Sequence, residues 1–278
     1  MIPLSQAAGN GPPNNDALRG RSPGLFFLLA FALSVPFWLI GAKTGLQLLP
    51  GLPVSAIAAF TPVAAALILV HTANRTTGVT DLLKRAFDYG RIRAKVWYIP
   101  MVLLMPGVSV LSYTLMRWMG WTLPVPEFPV LAALVMSLAF FVAALGEELG
   151  WSGYAIDPMQ ARWNALGAAL LLGVVWAVVH FVPLVQAHRS SAWIAWWTLG
   201  TVAFRVILVW IYNNTGKSVF AIAVAHAMGN MSWQLFPNYG SHWDPRINGL
   251  IVVGVAVTVT IVWGPRTLAR YGIVKGQP

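Results

Sequence analysis

Two adjacent carboxylates, Glu147 and Glu148, lie at the end of an apolar segment of the chain. A carboxylate inside a membrane span costs about 2.5–3.5 kcal/mol on insertion scales, so it marks a functional site beside a polar cavity. Neighbouring residues of a helix point about 100° apart, so the two side chains are not expected to face one cavity. We therefore predict that one glutamate performs chemistry while the other organises the site. The alternative is that both lie in the headgroup region.

Two histidines in later apolar segments could complete such a site. His180 and His226 each follow a run of apolar residues. A single membrane histidine is more often a hydrogen-bonding partner between helices, but two histidines together with a carboxylate favour a reactive cluster. Asn230 follows His226 by four residues and lies on the same helix face. Its amide could orient a water molecule or donate to an oxyanion, and its alternative role is a bond between helices.

Composition limits the elements that can hold these residues. Of the 278 residues, 58% are hydrophobic and only 9% are charged, against about 25% charged residues in an ordinary soluble domain. This excludes a soluble fold and predicts an all-α membrane protein that crosses the bilayer several times. The chain has no cysteine, which excludes disulfides, thiolate catalysis and cysteine-based zinc sites.

Eight apolar segments near the length of about 20 residues that spans a bilayer follow one another along the chain. They lie at about residues 25–42, 53–72, 96–119, 128–150, 165–185, 192–212, 218–236 and 247–264. Residues 1–23 are polar and rich in Gly, Pro and Asn, which predicts a disordered N-terminal tail. Residues 24–278 are predicted to form a single domain.

Basic residues predict the orientation of these segments. An even number of spans places both termini on one side, and that side holds 13 of the 18 Lys and Arg residues. Cytoplasmic loops carry the excess of Lys and Arg, so both termini are predicted to be cytoplasmic in a multi-pass protein of the cell membrane. The net charge of +10 is attributed to topology, and no nucleic-acid partner is expected.

The fourth and fifth segments are expected to form a hairpin that turns near Trp163 and Asn164. Glu147 lies 16 residues before Trp163, and His180 lies 17 residues after it. If the helix continues to the turn, the two side chains reach nearly equal depth and can face each other. A break at Pro158 would change that depth.

Four ordered blocks within residues 145–231 resemble one known family. They are EELGWSGY at 147–154, GVVW through HFVPL at 173–184, YNNTGKS at 212–218, and the pair His226 and Asn230. In these blocks the chain is similar to the CPBP family of intramembrane proteases, which includes the CAAX prenyl endopeptidases and bacterial Abi-type proteins.

The resemblance implies an all-α membrane peptidase with eight transmembrane helices around a polar cavity, which hydrolyses a peptide bond without a cofactor. It implies that Glu147 activates the attacking water and that Glu148, His180, His226 and Asn230 complete the catalytic set. These residue types suit that task. A carboxylate can take a proton from water and return it to the leaving amine, while imidazoles and an amide position the water and stabilise the oxyanion. The expected partners are a peptide or membrane-protein substrate and the lipid bilayer; substrate-binding residues and oligomeric state are not indicated.

One position departs from the family motif EExxxR, whose Arg falls at Ser152. An Arg there would stand four residues after Glu148 and neutralise it. We predict that Arg205, the only Lys or Arg in the interior of an apolar segment rather than near its end, pairs with Glu148 instead. The alternative for Arg205 is to snorkel to the membrane interface. The departure also fits a family member without catalytic activity.

Three other hypotheses use the same residues. GxSG around Ser152 and AHxxG around His226 resemble rhomboid serine proteases, but this leaves the other blocks without a role. A zinc ion on Glu147, His180 and His226 is a second alternative, although HExxH is absent. A proton-coupled transporter would use the same groups as relays, and its usual sign, inverted repeats, is not apparent in the sequence.

Overall fold

Helices make up most of the structure, a computed structural model that describes residues 21–127 and 130–269. The main helices are α1 (Pro23–Thr44), α2 (Thr61–Lys84), α3 (Tyr98–Trp118), α4 (Val130–Gly150), α5 (Ile156–Val179), α6 (Phe181–Gln186), α7 (Ser191–Asn214), α8 (Val219–Leu235) and α9 (Pro245–Trp263). All of them are long except α6, which has six residues. A π-helical turn, Trp151–Ala155, joins α4 to α5. Residues 1–20 of the predicted tail lie outside the described range.

The remaining elements are short and lie in the connections. An antiparallel hairpin, β1 (Gln47–Leu49) and β2 (Leu52–Pro53), follows α1 and leads into a 3₁₀ turn at Val54–Phe60. Further short turns lie at Arg85–Phe87, Tyr89–Arg91, Lys95–Trp97 and Pro237–Gly240. The hairpin connects two long helices at one end of the molecule, and the site described below extends towards it.

Six helical stretches of the described chain are long and apolar enough to cross a membrane. The protein is therefore an all-α, multi-pass membrane protein, as predicted. One stretch, Val130–Gln186, contains the predicted fourth and fifth segments together. The seventh segment forms α8, a helix of 17 residues. The count of eight spans stays a prediction.

Side-chain caps begin several of the long helices. Ser22, Ser190 and Ser218 each accept a hydrogen bond from the backbone three residues on, at the starts of α1, α7 and α8. Asp244 accepts from the amides of Arg246 and Ile247 at the start of α9. The first amide groups of a helix have no acceptor within the helix. Each cap therefore gives a partner to an N–H group whose burial without a hydrogen bond would be energetically costly.

The chain turns at Asn164, as the sequence predicts. Its backbone angles, φ 68° and ψ 174°, interrupt the helical geometry of α5. Its side-chain oxygen accepts from the Gly167 amide at 2.9 Å and caps the second half of the helix. Trp176 then returns to within hydrogen-bonding reach of Glu147. Pro158 lies inside the continuous part of α5, so the break expected as an alternative there does not occur.

Contacts between distant segments define a terminal end of the molecule, where α1 begins and α9 finishes. Arg21, just before α1, donates to the Gly153 carbonyl at 2.9 Å. The Arg266 carbonyl, just after α9, accepts from the Ala165 amide at 2.9 Å. The β-hairpin lies at the opposite end, which we call the hairpin end.

Candidate active site

A cavity of about 510 Å³ lies between the helices, and four of the predicted catalytic residues line it. These are Glu147, His180, His226 and Asn230. Most of the other lining residues are apolar or aromatic, among them Met105, Phe140, Val179, Leu184, Phe204 and Trp197. The cavity is thus an apolar chamber with a small polar cluster, rather than polar throughout.

Glu147 is held by two indole groups. The Trp176 indole N–H donates to Glu147 Oε2, and the Trp151 indole N–H approaches the same oxygen at 3.4 Å. The second oxygen, Oε1, lies 3.8 Å from Nε2 of His226, which is beyond hydrogen-bonding distance. One oxygen of the carboxylate is therefore fixed, while the other has no bond to the nearest imidazole.

Glu148, one residue further on, has a different environment. It is fully buried and is surrounded by polar partners from three elements. Arg205 Nη1 lies 2.8 Å from Oε2, the Ser152 hydroxyl donates to Oε2 at 2.5 Å, and His226 Nδ1 lies 3.0 Å from Oε1. The Arg205 guanidinium also stacks over the Trp176 ring, 4.1 Å from its centroid. Glu148 therefore belongs to a packed ionic cluster and not to the cavity wall.

Because the motif Arg is replaced by Ser152, another residue must neutralise Glu148, and Arg205 lies in that position. Arg205 is fully buried and contacts Glu148 directly, so it does not reach an interface. It approaches from α7, whereas an Arg at position 152 would approach from the turn after Glu148. Ser152 fills that nearer position with a hydroxyl. The cluster thus has its cation, supplied by another helix.

The contacts of His226 indicate how its ring is used. A carboxylate only accepts, so Nδ1 of His226 carries the hydrogen that bonds Glu148. Nε2 is then directed towards Glu147 and the cavity. A carboxylate that fixes the tautomer of a histidine and offsets its positive charge is the arrangement of the serine-protease triad.

His180 lies where α5 meets α6. Its Nδ1 is 2.8 Å from the Trp176 carbonyl, which accepts, so Nδ1 carries the hydrogen and Nε2 has a free lone pair. The ring lies 5.5 Å from that of Trp197 and is half-buried on the cavity wall. His180 therefore offers an acceptor to the cavity.

Two glycines let α4 carry the glutamates close to its neighbours. Gly146 and Gly150 flank the pair with the spacing of small residues at close membrane-helix contacts. A Cβ at position 146 would lie 2.6 Å from the Phe60 ring, and one at position 150 would lie 2.5 Å from the Pro62 carbonyl. Any larger residue would push this end of α4 away from α2.

The π-helical turn that follows the glutamates is bound from two distant segments. A π turn lengthens the backbone hydrogen-bond spacing and is frequent at functional sites. The Gly153 carbonyl in this turn accepts from Arg85 Nη1 at 2.8 Å and from Arg21 Nη1 at 2.9 Å. These two arginines, from the segments before α1 and after α2, fix the turn next to Glu148.

Arg85 also connects the π-helical turn to a second polar cluster at the terminal end. Arg85 Nη2 donates to the Tyr212 hydroxyl at 2.7 Å, and that hydroxyl donates to Asp157 at 3.1 Å. Lys217 Nζ pairs with Asp157 at 2.9 Å. This network joins the start of α5 to the YNNTGKS block at the terminal end.

Three residues that contact the site had no role in the sequence prediction. Trp151 follows Glu147 by four residues, and this spacing alone could have indicated a contact. Trp176 was part of a matching block but had no assigned partner. Arg85 could not have been found, because its contact with Gly153 joins residues 68 positions apart.

Metal ligation was a separate hypothesis for these residues. Among residues 21–127 and 130–269, no group of three or more His, Asp or Glu side chains has the geometry to hold a metal ion. The zinc alternative on Glu147, His180 and His226 therefore has no support from the grouping of these side chains, and it stays an untested hypothesis.

Comparisons with known proteins agree with the resemblance. Residues 129–232 match the family described as type II CAAX prenyl endopeptidase Rce1-like, a range that contains every predicted site residue. The chain is also 28% identical, over 245 residues, to CAAX prenyl protease 2 of Methanococcus maripaludis, with 77% of this chain and 84% of the relative covered. The predicted relationship to the CPBP and CAAX protease family is confirmed, and both descriptions name a peptidase.

Proposed function

We propose that this chain, a relative of the CAAX prenyl proteases, is an intramembrane endopeptidase in which Glu147 activates the attacking water. The observation that carries the proposal is the separation of the two glutamates. Glu147 lies on the cavity wall with one carboxylate oxygen free of its indole donors, whereas Glu148 is enclosed by Arg205, Ser152 and His226. Of the two glutamates, Glu147 is the one that a substrate in the cavity can contact.

The reaction uses one water and returns its protons to the products. Glu147 Oε1 takes a proton from the water while the water oxygen attacks the carbonyl carbon of the peptide bond. The tetrahedral intermediate then collapses, the C–N bond breaks, and Glu147 gives the proton to the leaving nitrogen. The free lone pair on Nε2 of His180 accepts the other hydrogen of the water and orients it. No metal or other cofactor is needed for these steps.

Two groups are placed to stabilise the oxyanion. His226, when protonated at Nε2, donates from the cavity wall, and Glu148 offsets the charge of the imidazolium through Nδ1. Asn230 lies one turn further along α8 on the same wall and offers its side-chain amide. Loss of one such donor typically lowers kcat by about 10²–10³-fold.

The location of Ser152 favours Glu147 over the serine hypothesis. A serine nucleophile must bond its histidine base and reach the substrate. Ser152 instead donates to Glu148 from a buried position, and it is not among the residues that line the cavity. His226 directs Nε2 towards Glu147.

The cavity lining indicates the chemistry of the substrate. Its mostly apolar wall fits a segment with apolar side chains, or one that carries a lipid group, near the cleaved bond. The name of the relative from Methanococcus maripaludis refers to a prenylated substrate of that protein. Prenylated and unmodified peptides are therefore the first pair to compare on this chain.

Cleavage of a peptide library by the detergent-purified protein tests the proposal. Wild type is compared with Glu147→Gln and Ser152→Ala, each with and without a chelator. We expect cleavage to be lost in Glu147→Gln alone and to be insensitive to the chelator. Loss in Ser152→Ala alone would support the serine mechanism, and loss with the chelator would support zinc. A folded wild type that transports protons in liposomes and cleaves nothing would support the transporter.

A further inference from the structure

We infer that Arg85 and Asp88, in the short segment after α2, are positioning residues that hold the two halves of the active site against each other. The two glutamates lie at the end of α4, while His226 and Asn230 lie on α8, so the reaction needs these helices in a fixed relation. Arg85 binds the backbone of the turn after the glutamates, and Asp88 binds the first amides of α8. We call these two residues the clamp. Its role in catalysis rests on the proposed function.

Arg85 joins the π-helical turn to the connection before α8. Its Nη1 donates to the Gly153 carbonyl at 2.8 Å, and its Nη2 donates to the Lys217 carbonyl, also at 2.8 Å. Gly153 lies in the turn that directly follows α4, and Lys217 comes just before the residue that caps α8. An arginine presents its N–H donors in a rigid planar fork, so one guanidinium holds both carbonyls at a set separation. A lysine, a point charge on a flexible chain, lacks this fork.

Asp88 caps α8 from outside that helix. Its carboxylate accepts from the Val219 and Phe220 amides at 3.3 and 3.1 Å, and from the Ser218 hydroxyl at 2.7 Å. Ser218 in turn accepts from the Ala221 amide at 3.1 Å. The first amides of a helix have no acceptor within it, and a negative charge is favourable at this end. Asp88 therefore fixes the start of α8 in place.

The two clamp residues contact each other, and the elements they bind pack together. Arg85 Nε lies 3.9 Å from Asp88 Oδ2, and the side chains are only 16% and 9% exposed. A Cβ built on Gly153 would lie 3.8 Å from Cγ2 of Val219, so the π turn packs on the first residue of α8. Loss of either clamp contact is therefore expected to shift α8 against the end of α4.

The helix α8 transmits such a shift to the reacting groups. His226 follows Val219 by seven residues, which is about two turns and about 10 Å along the helix axis. Its ring lies 3.0 Å from Glu148 and 3.8 Å from Glu147, and both distances join α8 to α4. A displacement of about 1 Å at a reacting group can cost about 10²-fold in rate. Neither clamp residue lines the cavity, so the clamp should affect the chemical step and not the binding of substrate.

Asp88→Asn tests the clamp, because it keeps the size of the side chain and removes its charge and one acceptor. We expect kcat to fall by about 10–10²-fold and KM to stay within about twofold. The matched control is Asp81→Asn, the same substitution in an ion pair with Lys84 whose side chains are 74% and 73% exposed. It should leave kcat and KM unchanged. A wild-type kcat in folded Asp88→Asn, or a rise in KM alone, would overturn the inference.

Arg85→Lys tests the other clamp residue and replaces Asp88→Asn if that variant does not accumulate. Lysine keeps the positive charge but not the fork that joins the two carbonyls. We expect the same pattern, a kcat lower by about 10–10²-fold with KM nearly unchanged. Arg93→Lys, at an exposed arginine of the same connection, is the matched control. A folded Arg85→Lys protein with the kcat of wild type would overturn the inference.

A crosslink tests the clamp without relying on cleavage. The chain has no native cysteine, so Gly153→Cys together with Val219→Cys gives one pair of thiols, placed where the π turn packs on α8. The nearest atom to a Cβ at position 153, at 3.0 Å, belongs to the end of the flexible Leu82 side chain, which can move aside.

We expect a mild oxidant to join the two thiols in a disulfide, detected by mass spectrometry. Adding Asp88→Asn should remove most of the crosslinked product, whereas adding Asp81→Asn should retain it. Undiminished crosslinking with Asp88→Asn would overturn the inference. If the folded wild type cleaves nothing, the proposed function fails, while the crosslink still decides whether Asp88 holds α8 against the turn.

Discussion

Glu147 and Glu148 are neighbours in the chain, yet they lie in two different regions of the molecule. The region around Glu147 is a cavity wall, where two indole N–H groups hold one oxygen and the other faces His226 across 3.8 Å. The region around Glu148 is closed and filled by charged and polar partners. One step along a helix, about 100°, is enough to separate a group that can meet a substrate from one that cannot.

The two regions also differ in what they contribute to stability. A charge buried without a partner is strongly unfavourable, so the Glu148 cluster is expected to depend on each of its members. Glu147 has neutral donors and an adjacent cavity, so the fold depends less on its charge. The comparison predicts that changes around Glu148 mainly unfold the protein and that changes around Glu147 mainly stop the reaction.

The largest effect on stability is expected from Arg205→Ala. Removing one partner of a buried ion pair typically costs about 3–5 kcal/mol, because the other charge is left uncompensated. We expect a lower unfolding temperature in detergent and little folded protein. The double variant Glu148→Gln, Arg205→Gln removes both charges and should recover part of the folded yield. If Arg205→Ala folds and cleaves like wild type, the ion pair has no structural role.

Substitution of His226 tests the group shared by both regions. His226→Ala removes the donor proposed for the oxyanion, so cleavage should fall by about 10²–10³-fold. The unfolding temperature should fall less than in Arg205→Ala, since Glu148 keeps its cation. His71→Ala, at an exposed histidine that does not line the cavity, is the control. A cleavage rate near that of wild type in His226→Ala would contradict the role assigned to this ring.

The indole that fixes Glu147 provides a smaller and more selective test. Trp176→Phe removes the N–H donor and retains an aromatic ring beneath Arg205. A hydrogen bond to a charged group contributes about 1.5–3 kcal/mol, so misplacement of the carboxylate should lower kcat about tenfold or more. Trp151→Phe removes the longer contact at 3.4 Å and should have a smaller effect. Equal rates in Trp176→Phe and wild type would show that the indole does not position Glu147.

The smallest effect is expected from Ser152→Ala. Its hydroxyl is one of three partners of Glu148, and loss of a hydrogen bond to a charged group costs about 1.5–3 kcal/mol, less than loss of the Arg205 charge. The unfolding temperature should fall slightly while cleavage continues at nearly the wild-type rate. Abolished cleavage in a stable Ser152→Ala protein would return the serine to the centre of the mechanism.

Sequence patterns predicted the parts of this structure that depend on local or strongly constrained residues. Asn164 was expected at a turn between two apolar segments, and the break lies there. Arg205 was expected near Glu148 because a cation inside an apolar segment needs a partner, and the two side chains are 2.8 Å apart. In both cases other arrangements of these residues would be energetically costly in a bilayer, so few arrangements are possible.

Other features depend on contacts that no pattern in the sequence contains. The π turn after α4 is bound by Arg21 and Arg85, which are far from Gly153 in the chain. The shape of the cavity depends on which faces of separate helices meet. Most of the cavity lining is apolar, because side chains of neighbouring helices surround the small polar cluster. The polar cavity stays a prediction.

Parallel measurement of cleavage and thermal unfolding in Glu147→Gln and Glu148→Gln tests the central claim most directly. Glutamine keeps the size of each side chain and removes its charge. We predict that Glu147→Gln unfolds at the wild-type temperature and loses cleavage by about 10²–10⁴-fold, while Glu148→Gln unfolds at a clearly lower temperature. A stable, inactive Glu148→Gln beside an active Glu147→Gln would contradict the account and assign the chemistry to Glu148.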